Sequence, residues 1–155
     1  MAKGEGGIVL PPGGGERIVS WGTEATIKTV GADTANAYAA VEFTLQPAPA
    51  PGPPPHIHPH TEAFYILEGN ISFRVGDQSL RVSPGAFLLV PGGVAHSFAN
   101  ADRSRSRMLT LFSPPGFEAY FREVGELAKR GGPPDLDSVL TLARKYNMEV
   151  VAPSS

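Results

Sequence analysis

The chain contains four histidines, and three of them, His56, His58 and His60, fall within five residues. Glu62 follows closely, and the fourth histidine, His96, lies in a separate stretch. Imidazole nitrogens combined with a carboxylate oxygen suit divalent transition metals better than Ca²⁺ or Mg²⁺. The clustering therefore predicts a site for one divalent transition-metal ion, which can be Fe, Ni, Mn, Co, Cu or Zn.

The spacing indicates how the first three candidate ligands can meet. Side chains of a β-strand alternate between its faces, so His56 and His58 share a face with Cα atoms about 7 Å apart. In a straight strand Glu62 would lie about 20 Å from His56, too far to share one ion. We therefore predict a sharp bend around Pro59, since proline suits a turn or bulge. His60 lies at the tip of this bend and is expected to be a bystander, with a ligand or neighbouring role as the alternative.

The fourth candidate ligand follows an apolar strand and a Pro-Gly-Gly turn over residues 85–95. A single histidine beside an apolar strand is more often an ordinary core residue than a ligand. The presence of two further histidines and a carboxylate elsewhere in the chain favours His96 as a ligand.

Both stretches resemble the two motifs of the cupin superfamily. The first motif is matched by His56, His58, Glu62 and Gly69, and the second by Gly85, Pro91, Gly93, His96 and Asn100. The family's first motif opens with a glycine where this chain has Ala50. The resemblance implies a double-stranded β-helix, the jelly-roll or cupin barrel, which holds its metal near one mouth. It also implies His56, His58, Glu62 and His96 as the metal ligands.

The remaining pattern predicts an all-β domain with two C-terminal helices. Between residues 17 and 113, short runs rich in Val, Ile, Thr and aromatic residues alternate with turns. Six prolines in residues 46–55 indicate a stiff loop within one domain, with an interdomain linker as the alternative. Helical spacing over 117–127 and 136–143 predicts two helices, and Asp135 is a candidate cap for the second. We expect their apolar stripes to pack against the barrel or a second subunit, or alternatively to form a lid.

These features predict one domain over residues 1–155. It comprises a loosely ordered N-terminal segment (1–16), the barrel (17–113) and a C-terminal helical extension (114–155).

The absence of cysteine rules out disulfides and thiolate metal sites. The net charge of −2 and the lack of a basic stripe argue against nucleic acid as a partner. No apolar run approaches a membrane span of about 20 residues, and residues 1–7 lack the features of a signal peptide. We therefore expect a cytoplasmic protein. From the family resemblance we also expect the protein to form a homodimer.

Alternation of barrel strands gives candidates for the lining of a substrate pocket: Phe64, Ile66, Phe87, Leu89, Phe98 and Met108. Such a lining suits a hydrophobic or aromatic small molecule. A divalent ion with one glutamate keeps a positive charge that favours an enolate oxygen. Glu62 can then serve as the catalytic general base.

The chain is similar to small cupins grouped with quercetin 2,3-dioxygenase. The leading hypothesis is a metal-dependent dioxygenase that acts on a small enolisable substrate. One alternative is a non-redox isomerase, cyclase or lyase. Another is a non-catalytic module that binds a metal or a small molecule.

Overall fold

The computed structural model describes residues 3–4 and 6–151. Met1, Ala2 and Glu5, which belong to the segment predicted to be loosely ordered, lie outside the described residues, as do residues 152–155. The N-terminal half contains β1 (Lys3–Gly4), β2 (Gly7–Ile8), β3 (Glu16–Ser20), β4 (Thr23–Thr29), a 3₁₀ turn (Gly31–Asp33), β5 (Ala39–Leu45), β6 (His56–Ile57), β7 (Thr61–Glu68) and β8 (Ile71–Val75). The remainder contains β9 (Gln78–Val82), β10 (Phe87–Val90), β11 (His96–Asn100), β12 (Ser106–Ser113), α1 (Glu118–Ala128), α2 (Leu136–Lys145) and β13 (Glu149–Val150).

The main strands form two antiparallel sheets. One has six strands in the order β10-β7-β12-β5-β4-β3, and the other has five in the order β13-β6-β11-β8-β9. Neighbours such as β7 and β12 are far apart in the sequence, as expected when strands cross between sheets in a jelly roll. The predicted jelly-roll barrel with two C-terminal helices is confirmed.

The core lies between the inner faces of the two sheets. Along β7 and β12 burial alternates with period two, which places Phe64, Ile66, Met108 and Phe112 in the interior with at most 1% of each exposed. Burying one such side chain contributes about 1.5–3 kcal/mol. The apolar face of the strands therefore supplies the rigid frame on which the candidate ligands are mounted.

The proline-rich loop packs against the five-stranded sheet. A Cβ atom added to Gly52 would lie within 1.8 Å of the carbonyl oxygen of Phe98 in β11, so only glycine allows this close approach. The loop is also tied to the barrel by Asn100, whose Nδ2 donates to the carbonyl of Gln46 over 2.9 Å. The small residue that the loop requires is thus Gly52, two positions after Ala50.

The two helices fold back over the barrel. Helix α1 packs against β3 so closely that a Cβ atom at Gly125 would lie 2.5 Å from Cγ2 of Ile18. Asp135 occupies the N-cap position of α2 but makes no capping bond to the backbone. Its carboxylate accepts instead from the hydroxyl of Ser138 over 2.5 Å, so the predicted cap is right in position and wrong in its bond. Neither helix is long or apolar enough to cross a membrane.

Candidate metal centre

The chain changes sheets between the second and third candidate ligands. Strand β6, with His56, belongs to the five-stranded sheet, and β7, with Glu62, belongs to the six-stranded sheet. Backbone bends at Pro59 and His60 connect them, as predicted. Without this turn the two side chains would lie far apart along one strand, so the bend is what allows both sheets to contribute to one site.

The four candidate ligands meet in the interior, and all four are buried. His96 of β11 is the register partner of His56, and their ring centroids are 4.4 Å apart. The Nε2 of His58 donates to Oε2 of Glu62 over 2.9 Å, and Nε2 of His96 donates to the same oxygen over 2.5 Å. One potential ligand atom from each residue lies within 4.8 Å of those of the other three.

Backbone carbonyls hold two of the imidazoles in position. Nδ1 of His56 donates to the carbonyl of Pro54 over 2.8 Å, and Nδ1 of His96 donates to that of Val94 over 2.9 Å. Such bonds fix the orientation of metal-ligating histidines and leave Nε2 as the ligand atom. Each of the two neighbouring strands β6 and β11 thus carries a histidine whose Nδ1 donates to the carbonyl two residues earlier in the chain.

The charges in the cluster suit a cation. Burial lowers the pKa of His56 to about 4, and repulsion by His96 acts in the same direction, so this imidazole is neutral at pH 7. Burial would raise the pKa of Glu62, but hydrogen bonds from His58 and His96 outweigh it and hold this pKa at about 2. Burial would lower the pKa of His96, but the hydrogen bond to Glu62 and the negative charge of that carboxylate outweigh burial and raise this pKa. The cluster therefore offers an ionised carboxylate and a neutral imidazole, and a cation that binds Nε2 of His96 must displace the hydrogen that this atom donates to Glu62.

The dimensions of the cluster also fit one ion. Ligand atoms on opposite sides of an ion lie about 4.2 Å apart when each bond is about 2.1 Å. The observed span of up to 4.8 Å needs only a small inward movement. Nδ1 of His58 is buried without a hydrogen-bond partner among the described residues, which shows that the protein alone does not satisfy this cluster. The group can hold one transition-metal ion.

A cavity of about 80 Å³ adjoins the cluster and is covered by the C-terminal segment. Its lining comprises Phe43, Pro53, Pro54, His56, Glu62, Phe98, Phe117, Tyr120, Phe121, Val139, Met148 and Val150. Half of these residues come from the C-terminal segment, which comprises the described residues after β12. The apolar stripes of the helices thus pack on the barrel, as predicted, and they do so directly over the candidate ligands.

Residues 41–112 match the family model of the cupin domain. The chain carries a cupin domain. The match includes all four candidate ligands. It also includes β6 and β8, the two strands that pair with β11. The C-terminal segment over the cavity lies outside the matched region.

Sequence relatives share part of the chain. Quercetin 2,3-dioxygenase of Bacillus subtilis is 37% identical over 67 residues, which are 43% of this chain and 20% of that enzyme. An uncharacterized protein of Streptomyces coelicolor is 36% identical over 59 residues, which are 37% of this chain and 55% of that protein. The chain therefore spans about a fifth of the length of the dioxygenase and about half of the length of the uncharacterized protein.

A solved structure with a similar fold is the polyketide cyclase RemF from Streptomyces resistomycificus. It matches with a TM-score of 0.60 and 21% identity, covering 68% of this chain and 78% of the cyclase. At this identity the similarity supports the fold and not the reaction.

His60 lies outside the ligand cluster of the cupin domain. Its Nδ1 donates to the carbonyl of Pro114 over 2.6 Å, and its ring centroid is 5.4 Å from that of Phe117. Phe117 in turn packs on His58, with ring centroids 4.8 Å apart. His60 thus fastens the start of the C-terminal segment beside the site.

Only one of the six predicted pocket residues, Phe98, lines the cavity. Phe64, Ile66 and Met108 lie in the barrel core. The prediction is wrong for Phe87 and Leu89, which are 65% and 53% exposed.

The error at Phe87 and Leu89 has a physical cause. Strand β10 reads Phe-Leu-Leu-Val, so its hydrophobicity is the same on both faces and does not reveal the inward one. Pairing with β7 settles the question, because Phe87 faces the exposed Tyr65 and Val90 faces the buried Glu62.

Sequence reasoning missed most of the cavity lining. Phe117, Tyr120 and Phe121 were identified only as one stripe of a helix, and β13 was not predicted. The signal available was this aromatic stripe, but helical spacing shows which face is buried and not what it covers.

Proposed function

We propose that this protein is a metal-dependent dioxygenase of quercetinase-like type that acts on a small enolisable substrate with an apolar or aromatic body. The observation that carries the proposal is a buried group of three histidines and one glutamate at the wall of an apolar cavity. His56, His58, Glu62 and His96 would hold the cation. The 37% identity with a quercetin 2,3-dioxygenase over part of the chain supports the same reaction class.

The residues around the cation would share the remaining work. A divalent ion bound there supplies a positive centre that favours an enolate oxygen and, when redox-active, a site for reaction with O₂. Oε2 of Glu62 accepts from both His58 and His96, whereas Oε1 has no hydrogen-bond partner among the described residues. This second oxygen can accept the proton that an enolisable substrate loses. The phenylalanines of the lining exclude water from the reacting groups.

The size of the cavity favours a small substrate. Its volume of about 80 Å³ is well below the about 300–1,000 Å³ of pockets that hold drug-sized ligands. A flavonol would therefore require displacement of the C-terminal segment, whereas a compact diketone or hydroxy-ketone would not. We infer that the substrate is smaller than quercetin.

We expect oxygen uptake with a redox-active metal and a small enolisable substrate. The test is to strip the protein of metal and reload it anaerobically with Fe, Ni, Mn, Co, Cu or Zn. Acetylacetone or quercetin is then added, and oxygen consumption is measured when air is admitted. The proposal predicts faster uptake with acetylacetone, because it is much smaller than quercetin and the cavity has a volume of only about 80 Å³.

Each other result points to a different class of function. Absence of oxygen uptake with every metal and substrate would contradict the dioxygenase proposal. Turnover with Zn in the absence of O₂ would favour the alternative of an isomerase, cyclase or lyase that uses the metal as a Lewis acid. Tight binding without turnover would favour a non-catalytic binding module. The fold accommodates all three classes.

We also propose that the protein forms a homodimer through the outer face of the six-stranded sheet. Exposed side chains on three neighbouring strands form the outer apolar patch, which comprises Tyr65, Leu67, Phe87, Leu89 and Leu111. Register brings them together, since Phe87 pairs with Tyr65, and Leu89 and Leu111 both pair with Ala63. A continuous exposed apolar face of this kind is typical of an interaction surface.

Charge on the outer apolar patch is expected to break the dimer. In the double variant Phe87→Lys with Leu89→Lys, two like charges would face their copies across a two-fold interface. Light scattering after gel filtration should show a dimer for the unmodified protein and a monomer for the variant. Leu136→Lys, at an exposed leucine outside the patch, is the control and should remain dimeric. A monomeric unmodified protein would disprove the proposal.

A further inference from the structure

Tyr120 is the one residue of the cavity lining, apart from the candidate ligands, that has a side-chain hydrogen-bond donor. The others are phenylalanine, proline, valine and methionine. In an apolar pocket, a small number of placed polar groups fix the orientation of the ligand. Tyr120 is therefore the candidate contact for a polar atom of the substrate.

Three aromatic rings of the C-terminal segment hold Tyr120 in place. Its ring stacks on Phe117, with centroids 5.1 Å apart and planes inclined by 14°. Phe121 and Tyr146 contact it edge-on at 5.6 Å and 5.9 Å. A phenol fixed in this way presents its hydroxyl at little further cost in side-chain entropy.

The hydroxyl of Tyr120 is available as a donor. It makes no hydrogen bond to another described residue, although the ring is packed on several sides. Burial raises the pKa of Tyr120 to about 12, so the hydroxyl keeps its proton at neutral pH. This combination suits the recognition of an anionic oxygen, which accepts a stronger hydrogen bond than a neutral one.

We propose that Tyr120 is a substrate-binding residue whose hydroxyl donates to an oxygen of a small, oxygen-bearing anion bound at the candidate metal centre. The cation and the phenol would then act on the anion together, and the apolar lining would surround its carbon atoms. This inference rests on the proposed function only in assuming an oxyanion ligand beside the cation, and it does not depend on a reaction with O₂. It assigns the C-terminal segment a part in selecting the substrate.

The test measures binding and not turnover. The protein is loaded with Co²⁺, and acetohydroxamic acid, which chelates metals as a compact anion with two oxygens, is titrated in while the visible bands of cobalt are followed. Tyr120→Phe keeps the ring and removes only the hydroxyl. The expected result is an unchanged cobalt content and a Kd for acetohydroxamate raised about tenfold, as for the loss of one hydrogen bond to a charged group.

Tyr146→Phe is the matched control. It removes a phenol from the same aromatic cluster, but Tyr146 does not line the cavity, so its Kd should equal that of the unmodified protein. Equal affinities for the unmodified protein and Tyr120→Phe would overturn the proposal. So would loss of cobalt from Tyr120→Phe, which would indicate a structural role, or the absence of any spectral response in the unmodified protein. Failure of the oxygen-uptake assay alone would leave a tenfold difference in Kd intact, so the two proposals can fail separately.

Discussion

Replacing His96 with alanine is expected to abolish stoichiometric metal binding. His96 contacts Glu62 directly and is the register partner of His56, so its loss removes one ligand and the hydrogen bond that orients another. Removal of groups that merely support a ligand already weakens metal binding by about 10–100-fold, and removal of the ligand itself should weaken it by at least that much. Metal analysis of the protein after dialysis measures the effect directly.

The control for this experiment is His60→Ala. It removes the remaining histidine, which lies outside the cluster, and should retain one ion per chain. A ligand that binds only the folded state at 100 times its Kd stabilises that state by about 2.7 kcal/mol, so added metal should raise the melting temperature of His60→Ala and leave that of His96→Ala unchanged. Circular dichroism establishes that both variants are folded. Retention of one ion per chain by folded His96→Ala would mean that the ligands are wrongly assigned.

Glu62→Gln is expected to lower the rate of turnover by about 10²–10⁴-fold at saturating metal, the usual contribution of a general base. The amide is similar in shape to the carboxylate but is neither charged nor able to accept the substrate proton. Its weaker metal binding is overcome by raising the metal concentration, because three histidines remain. The measurement is kcat after the metal content of the variant has been shown to reach one ion per chain.

Glu68→Gln is the matched control for Glu62→Gln. Glu68 lies on the same strand, but its carboxylate pairs with Arg105 and Arg107 on the surface, so its replacement should leave kcat unchanged. A fully metal-loaded Glu62→Gln variant with unaltered kcat would contradict the role of Glu62 as a base. It would not contradict its role as a ligand.

The meeting of the first three candidate ligands could be predicted because it depends on local rules. The two-residue period of a strand places His56 and His58 together, and Glu62 can reach the same ion only if the chain bends, for which Pro59 is well suited. These constraints act within seven residues and do not depend on the rest of the fold. Pairing with His96 is a long-range contact that no local rule predicts, and His96 is favoured only by the presence of the other candidate ligands and by the resemblance to a family motif.

The faces of β10 and the lining of the cavity could not be predicted for a complementary reason. Every position of β10 is apolar, so the sequence is compatible with either orientation, and only pairing with β7 decides between them. The aromatic stripe of α1 shows that the helix is buried on one side. Where that side docks depends on the whole surface of the barrel, which is information that helical periodicity does not contain.

The position of His56 within a two-residue strand has a consequence for kinetics. A strand this short has little stability of its own, and it is held by β11 on one side and by β13 on the other, where Val150 pairs with His56. The carbonyl of Pro55 also accepts from the backbone of Val151 over 2.9 Å. We expect an ion behind this edge to exchange with solvent when the edge separates, so local unfolding would contribute to the lifetime of the bound ion alongside the strength of its bonds. A chelator would then capture the ion only if it acts before the edge closes again. Two cations of equal affinity would be lost at the same slow rate, which is the rate at which the edge opens.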